Sequence, residues 1–178
     1  MMNTVDPIYT QAERKAMKEA LAGRDRLLFT LGCSLGLRIS DLLRLKVGDI
    51  QGQRELVIRE EKTKKARRIP ISAKVDEQVV ALDKPADAYI FSSRKRNADG
   101  SERPITRQQA YTILKRAAER AGIDARIGGH TLRKTFGLMH YQNGVNVTRI
   151  MRMLNHASPR IKKRMKRLIF NEEAKQYV

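Results

Sequence analysis

The chain has 178 residues, enough for one domain with a sizeable core, and an ordinary apolar fraction of 41%. Against 19 Asp and Glu stand 37 Lys and Arg, a formal charge of +18; in a foldable composition this points to a polyanionic partner, nucleic acid first and an anionic membrane surface second. The single cysteine, Cys33, excludes an internal disulfide or a Cys-based metal site, and neither a long apolar run nor an apolar N-terminal core suggests a membrane span or a secretion signal, so the protein is expected to work inside the cell.

Taken in order, Thr10 with Glu13 forms a capping box that opens a helix running to Ala22, closed by Gly23. Arg24 to Leu35 places Leu27, Leu28, Leu31 and Leu35 on one apolar stripe, a second helix turned into the core and ended by Gly36. Ser40-Asp41 reads as the cap of a short third helix, which leaves Arg38 in the tight connection between two buried helices. Leu56-Val57-Ile58 and Arg68-Ile69-Pro70-Ile71 are β-branched runs around the charged segment Glu60 to Arg67, a hairpin with a basic tip. Ser72 to Leu82 predicts a short helix, Ala88 to Phe91 a brief extended piece, and Ser92 to Arg103 an exposed loop.

A second capping box, Thr106 with Gln109, starts a helix that runs to about Ala121 and stops at Gly122. Another is predicted from His130 to just before Asn143-Gly144, and Asn146 caps a short one through Met153. Ser158-Pro159 begins a last helix with Ile161, Met165 and Leu168 on one stripe, surrounded by Arg160, Lys162, Lys163, Arg164, Lys166 and Arg167. His130 and Arg133, three apart on a helix, share a face and can clamp one anionic group. His140, on the same helix, is assigned to packing, as is Cys33.

Gly36-Leu37-Arg38-Ile39-Ser40-Asp41-Leu42-Leu43, then Lys62, then His130-Thr131-Leu132-Arg133, then Leu154-Asn155-His156-Ala157-Ser158, resembles the catalytic domain of the tyrosine recombinase (phage integrase) family. The resemblance covers roughly Thr10 to Leu168. It implies an α+β fold, mostly helical with a small antiparallel sheet, of the DNA breaking-rejoining type. It also implies double-stranded DNA as the partner, a homo-tetramer on paired sites, no cofactor or metal, and a cytoplasmic, DNA-associated location. By this resemblance Arg38 and Arg133 are the phosphate clamp, a role suited to planar bidentate guanidiniums. Lys62 is the general acid for the leaving 5′ oxygen, His130 acts in proton transfer and phosphate contact, and His156 hydrogen-bonds the scissile phosphate.

Plainer roles stand beside these. Arg38 can be a structural arginine paired with Asp41, which itself orients or caps; Lys64 or Lys65 can take the place of Lys62; the histidines can be cap or core residues. Lys64, Lys65 and Arg67 form a solvated, phosphate-tracking tip, and Arg160, Lys162, Lys163 and Arg164 a further DNA-binding surface.

The sequence departs from the family where it matters most. The tyrosine nucleophile is expected about nine residues after the second histidine motif, and that place falls at Met165; the five tyrosines are Tyr9, Tyr89, Tyr111, Tyr141 and Tyr177. Methionine has no oxygen with which to form a phosphotyrosyl-type intermediate. The explanations are an inactivated domain that keeps its phosphate clamp, a rearranged C-terminus that delivers Tyr177, or a last helix that has diverged. About nine residues precede the first helix, so residues 1–178 are expected to form a single catalytic-type domain without the family's N-terminal core-binding domain.

Overall fold

The computed structural model describes residues 5–62, 64 and 66–155. Lys65, His156, Arg160, Lys162, Lys163, Arg164, Met165 and Tyr177 lie outside the described residues.

Seven helices, a short 3-10 turn and one hairpin are described: α1 (Gln11–Glu19), α2 (Gly23–Leu35), α3 (Ile39–Leu43), β1 (Glu55–Arg59), β2 (Ala66–Pro70), α4 (Ala73–Val80), α5 (Arg107–Arg120), α6 (Thr131–Gln142) and α7 (Val147–Met153). Both predicted capping boxes form, with Thr10 Oγ1 accepting from Glu13 N at 3.0 Å and Thr106 Oγ1 from Gln109 N at 3.1 Å. After a polar first turn, α2 is mostly embedded, with Leu27, Leu28, Phe29, Leu31, Cys33 and Leu35 buried and Ser34 exposed. Burial also pushes the Cys33 thiol up to about 12, the state of an inert core residue.

Four boundaries shift. α1 ends at Glu19, capped at Ala20, short of the expected Ala22, and Gly23 opens α2 in place of closing α1. α3 begins at Ile39 with Arg38 as its N-cap residue and no side-chain cap; Asp41 instead accepts the backbone N–H of Glu61 at 2.9 Å, tying α3 to the turn after β1. β2 starts at Ala66, two residues before the predicted run, because Arg67 is a member of the ladder opposite Ile58. The predicted extended piece at Ala88 to Phe91 contributes only isolated bridges, Lys46 to Tyr89 and Ser92 to Pro104.

The site depends on how closely α2 packs on α6. A methyl group added at Gly32 would lie 2.4 Å from Leu132 Cδ1, and one at Gly36 would lie 2.7 Å from the Phe136 ring. The two backbones therefore approach more closely than ordinary side chains allow. This contact carries Arg38, just beyond the end of α2, toward Arg133 on α6. Among the described residues no helix is long and apolar enough to cross a membrane.

Candidate phosphate-binding site

The hairpin alternates with a period of two, and its inward face runs Leu56, Ile58, Glu60 on one side and Ile69, Arg67 on the other. Glu60, just past β1, is fully buried. A buried carboxylate is stable only when charge and hydrogen bonds match it, and here several partners converge. Glu60 Oε2 accepts from Arg38 Nη1, and from Asn155 Nδ2 at 3.3 Å. Oε1 lies 3.8 Å from Arg67 Nη1 and 3.9 Å from Arg133 Nη1.

The arginines are held from behind as well. Arg133 donates to the carbonyl oxygens of Gly36 at 2.8 Å and of Leu154; Arg67 donates to Leu35 O at 3.0 Å and Gly36 O at 3.3 Å. The carbonyls of Leu35 and Gly36 end α2 and that of Leu154 ends α7, where the helix dipole is negative and unsatisfied acceptors welcome a cation. Gly36 takes the left-handed conformation, φ 57°, which turns its carbonyl to serve both guanidiniums. Burial first, then the neighbouring Arg38 and Arg67, pulls Arg133 down to about 10, while Glu60 and Asp41 work the other way.

At the rim sit His130 and Lys62, both exposed. His130 is the N-cap residue of α6, with no side-chain capping bond. Its imidazole is held below the ordinary histidine range by partial burial of the ring and then by the positive charges of Arg133, Lys134, Arg38 and Lys62. That field places His130, Arg133, Arg38 and Lys62 in one electrostatic neighbourhood. Lys62 lies in the turn closed by Lys64 N to Glu60 O at 2.9 Å and Arg59 Nε to Lys64 O at 2.8 Å.

The structure thus brings together Arg38, Lys62, His130 and Arg133. Lys64 is exposed at the tip as expected, with φ 56°. Arg67 is a correction: the solvated, phosphate-tracking role does not hold, because its inward position in β2 buries the side chain against Glu60 and the end of α2. Arg38 pairs with Glu60 in place of Asp41. His140 packs edge-on against Phe136, ring centroids 4.3 Å apart, which is the packing role assigned to it. Sequence reasoning missed Glu60 and Asn155; for Glu60 the signal was the alternation Leu56, Ile58, Glu60, masked by the charged run that follows.

Among the described residues no three of His, Cys, Asp and Glu gather as a metal site. Two open surface depressions, one between Arg24 and Arg94 and the other between Lys46 and Glu102, share no residue with the arginine cluster.

The depressed histidines give a pH dependence. His130 and His140 both lie below 6.5 in the folded chain, so the unfolded chain takes up protons first as the solution is acidified. Their stabilising contribution is full above about 6.5 and is lost as pH falls below it toward the folded values. The denaturation midpoint is expected to fall between pH 7 and 5.5, and His130→Gln to make that fall shallower; an identical profile for the variant would contradict the assignment.

This arrangement, an all-helical body with one antiparallel hairpin and two arginines meeting behind a lysine-bearing turn, is the tyrosine recombinase catalytic fold. The crystal structure of XerA recombinase superposes with a TM-score of 0.73 over 96% of this chain and 62% of that one, at 20% identity. The XerH recombinase bound to its difH substrate before cleavage gives 0.68 over 96% and 53%, at 21% identity. The sequence model of the phage integrase family matches residues 3–167, and the chain belongs to that family. It is 39% identical over 165 residues to the probable integrase/recombinase YoeC of Bacillus subtilis, covering 90% of this chain and 88% of that protein. With the tyrosine recombinase XerA of Thermococcus onnurineus it shares 34% identity over 140 residues, 76% of this chain but 48% of the relative. The chain thus spans most of YoeC and about half of this longer recombinase.

Proposed function

We propose that this chain binds double-stranded DNA as a recombinase catalytic domain and holds one backbone phosphodiester at the cluster of Arg38, Arg133, His130 and Lys62. The observation that supports this is the convergence of those four side chains from three separate segments, the α2–α3 connection, the turn after β1 and the start of α6, at the mouth of a buried arginine cluster. Negative charge developing on a phosphodiester under attack is met by fixed cations that need no reorganisation. Lys62, exposed on its turn, is placed for proton delivery to a leaving oxygen, and the depressed His130 is neutral near pH 7, as a proton acceptor must be. His156 completes the set, and Arg160, Lys162, Lys163 and Arg164 supply further phosphate contacts.

The reaction of such a site is metal-independent strand cleavage and rejoining through a phosphotyrosine, with four copies on paired DNA sites. In this chain the nucleophile's place falls at Met165, so the domain binds and orients the phosphodiester without covalent attack from that position. The solved relatives support DNA as the partner: XerH is described with difH substrate and lambda integrase as a tetramer on a Holliday junction.

A titration with a mixed-sequence duplex of about 30 base pairs tests the partner. Each phosphate neutralised contributes about −0.9 to the slope of log affinity against log salt, so a footprint of 6–10 contacts predicts a loss of roughly 10³–10⁵ between 50 and 200 mM salt. A flat response would remove nucleic acid as the partner.

A further inference from the structure

The recombinase reading leaves Glu60 without a task, although it is the most buried charge at the site and contacts three of its arginines. Its partners come from the N-cap of α3 (Arg38), β2 (Arg67), α6 (Arg133) and the turn after α7 (Asn155). A carboxylate is an odd choice beside a phosphate, because like charges repel. Its effect is clearest in the charge count. Among the described residues the buried cluster holds three guanidiniums, Arg38, Arg67 and Arg133, against the two carboxylates of Glu60 and Asp41, leaving one positive charge in excess. Lys62 at the rim adds a further positive charge, and without Glu60 the total would be higher by one. A phosphodiester carries a single negative charge at every pH near neutrality. A terminal phosphomonoester carries nearly two above its second pKa of about 6.

Arg38 is the member of the cluster that reaches solvent, with 14% of its side chain exposed. A guanidinium has five donors in a planar fork, and the Glu60 contact engages only Nη1. One nitrogen is thus held by the buried acid while part of the side chain remains open to solvent.

We propose that Glu60 is a specificity-determining residue: its buried negative charge lowers the positive potential of the arginine cluster and so weakens binding of the dianionic phosphate at a strand end more than binding of a monoanionic phosphodiester within a strand. This rests on the phosphate-site reading above. The discrimination is relative and follows from electrostatics. A dianion gains about twice what a monoanion gains from each added positive charge, so removing the Glu60 charge favours the dianion by one further charge–charge interaction. At an effective dielectric near 20 and separations of several Å, that interaction changes relative affinity by at least ~tenfold.

The test uses two small probes, dimethyl phosphate as the monoanion and methyl phosphate as the dianion, titrated at pH 8 and constant ionic strength against the full chain. The readout is the shift of the guanidinium ¹⁵N–¹H signals of Arg38. Glu60→Gln keeps an acceptor for Arg38 and removes the charge; the ratio of methyl phosphate to dimethyl phosphate affinity is expected to rise about tenfold. Should that variant fail to fold, Arg67→Met tests the same idea in the other direction. It lowers the excess to zero without touching a solvent-facing donor, and the ratio is expected to fall about tenfold. An unchanged ratio in a folded variant that still binds both probes overturns the role of Glu60 and leaves the phosphate site standing. Arg38 signals unmoved by either probe in the wild-type chain overturn the phosphate site and this role together.

Discussion

Arg133→Met lowers the stability of the domain by about 3–5 kcal/mol, the usual effect of removing one partner from a buried, hydrogen-bonded ion cluster. The side chain is 5% exposed and fastens three segments at once: the carbonyl of Gly36 at the end of α2, the carbonyl of Leu154 after α7, and the carboxylate of Glu60 after β1. Its loss strands the buried Leu154 carbonyl, leaves Gly36 O with Arg67 alone and the Glu60 charge with fewer partners, each a cost of its own. Arg133→Lys restores little, since an ammonium cannot span two carbonyls and a carboxylate as a planar fork does. Chemical denaturation reads the effect directly. A loss below about 1 kcal/mol would place the residue among surface ion pairs and contradict its burial.

Gly36→Ala is expected to cost about 2–4 kcal/mol, from two sources that a control separates. An alanine at φ 57° bears the left-handed backbone penalty of roughly 1 kcal/mol, and the new methyl meets the Phe136 ring at 2.7 Å, an overpacking cost of about 1–3 kcal/mol. Gly122 has φ 65° and nothing within 4 Å of the same added methyl, so Gly122→Ala incurs the backbone part alone. The difference between the two variants measures the α2–α6 contact. Equal losses would show that this contact does not set the spacing of Arg38 and Arg133.

The helical framework was legible because its signals are local. Capping boxes at Thr10 and Thr106, the stripe of α2 and the stops at Gly36 and Gly122 depend on residues within one or two turns of each other, whereas Gly23, expected to close α1, opens α2. The site was legible in its membership and less so in its arrangement. Arg38, Lys62, His130 and Arg133 stand out by motif, but burial is decided by tertiary contacts that a motif does not contain. The motif marks Arg133 as a phosphate clamp but does not show that it is buried between two carbonyls and a carboxylate. Arg67 and Glu60 sit in a charged run whose composition suggests a solvated loop. Only the period-two register, which aligns them with Ile58 and Leu56, reveals that both turn inward. Asn155 carries no such signal: its contact with Glu60 joins residues 95 positions apart through a left-handed turn, φ 51°.

The central claim is a phosphodiester site assembled from this chain's cations but lacking a nucleophile at the place where Met165 stands. Trapping with suicide duplex substrates from a randomised library, followed by a search for covalent protein–DNA adducts, tests it most directly. No adduct is predicted for the wild-type chain, and an adduct is predicted for Met165→Tyr. An adduct formed by the wild-type chain and abolished by Tyr177→Phe would contradict the claim and assign the attack to the C-terminal tyrosine.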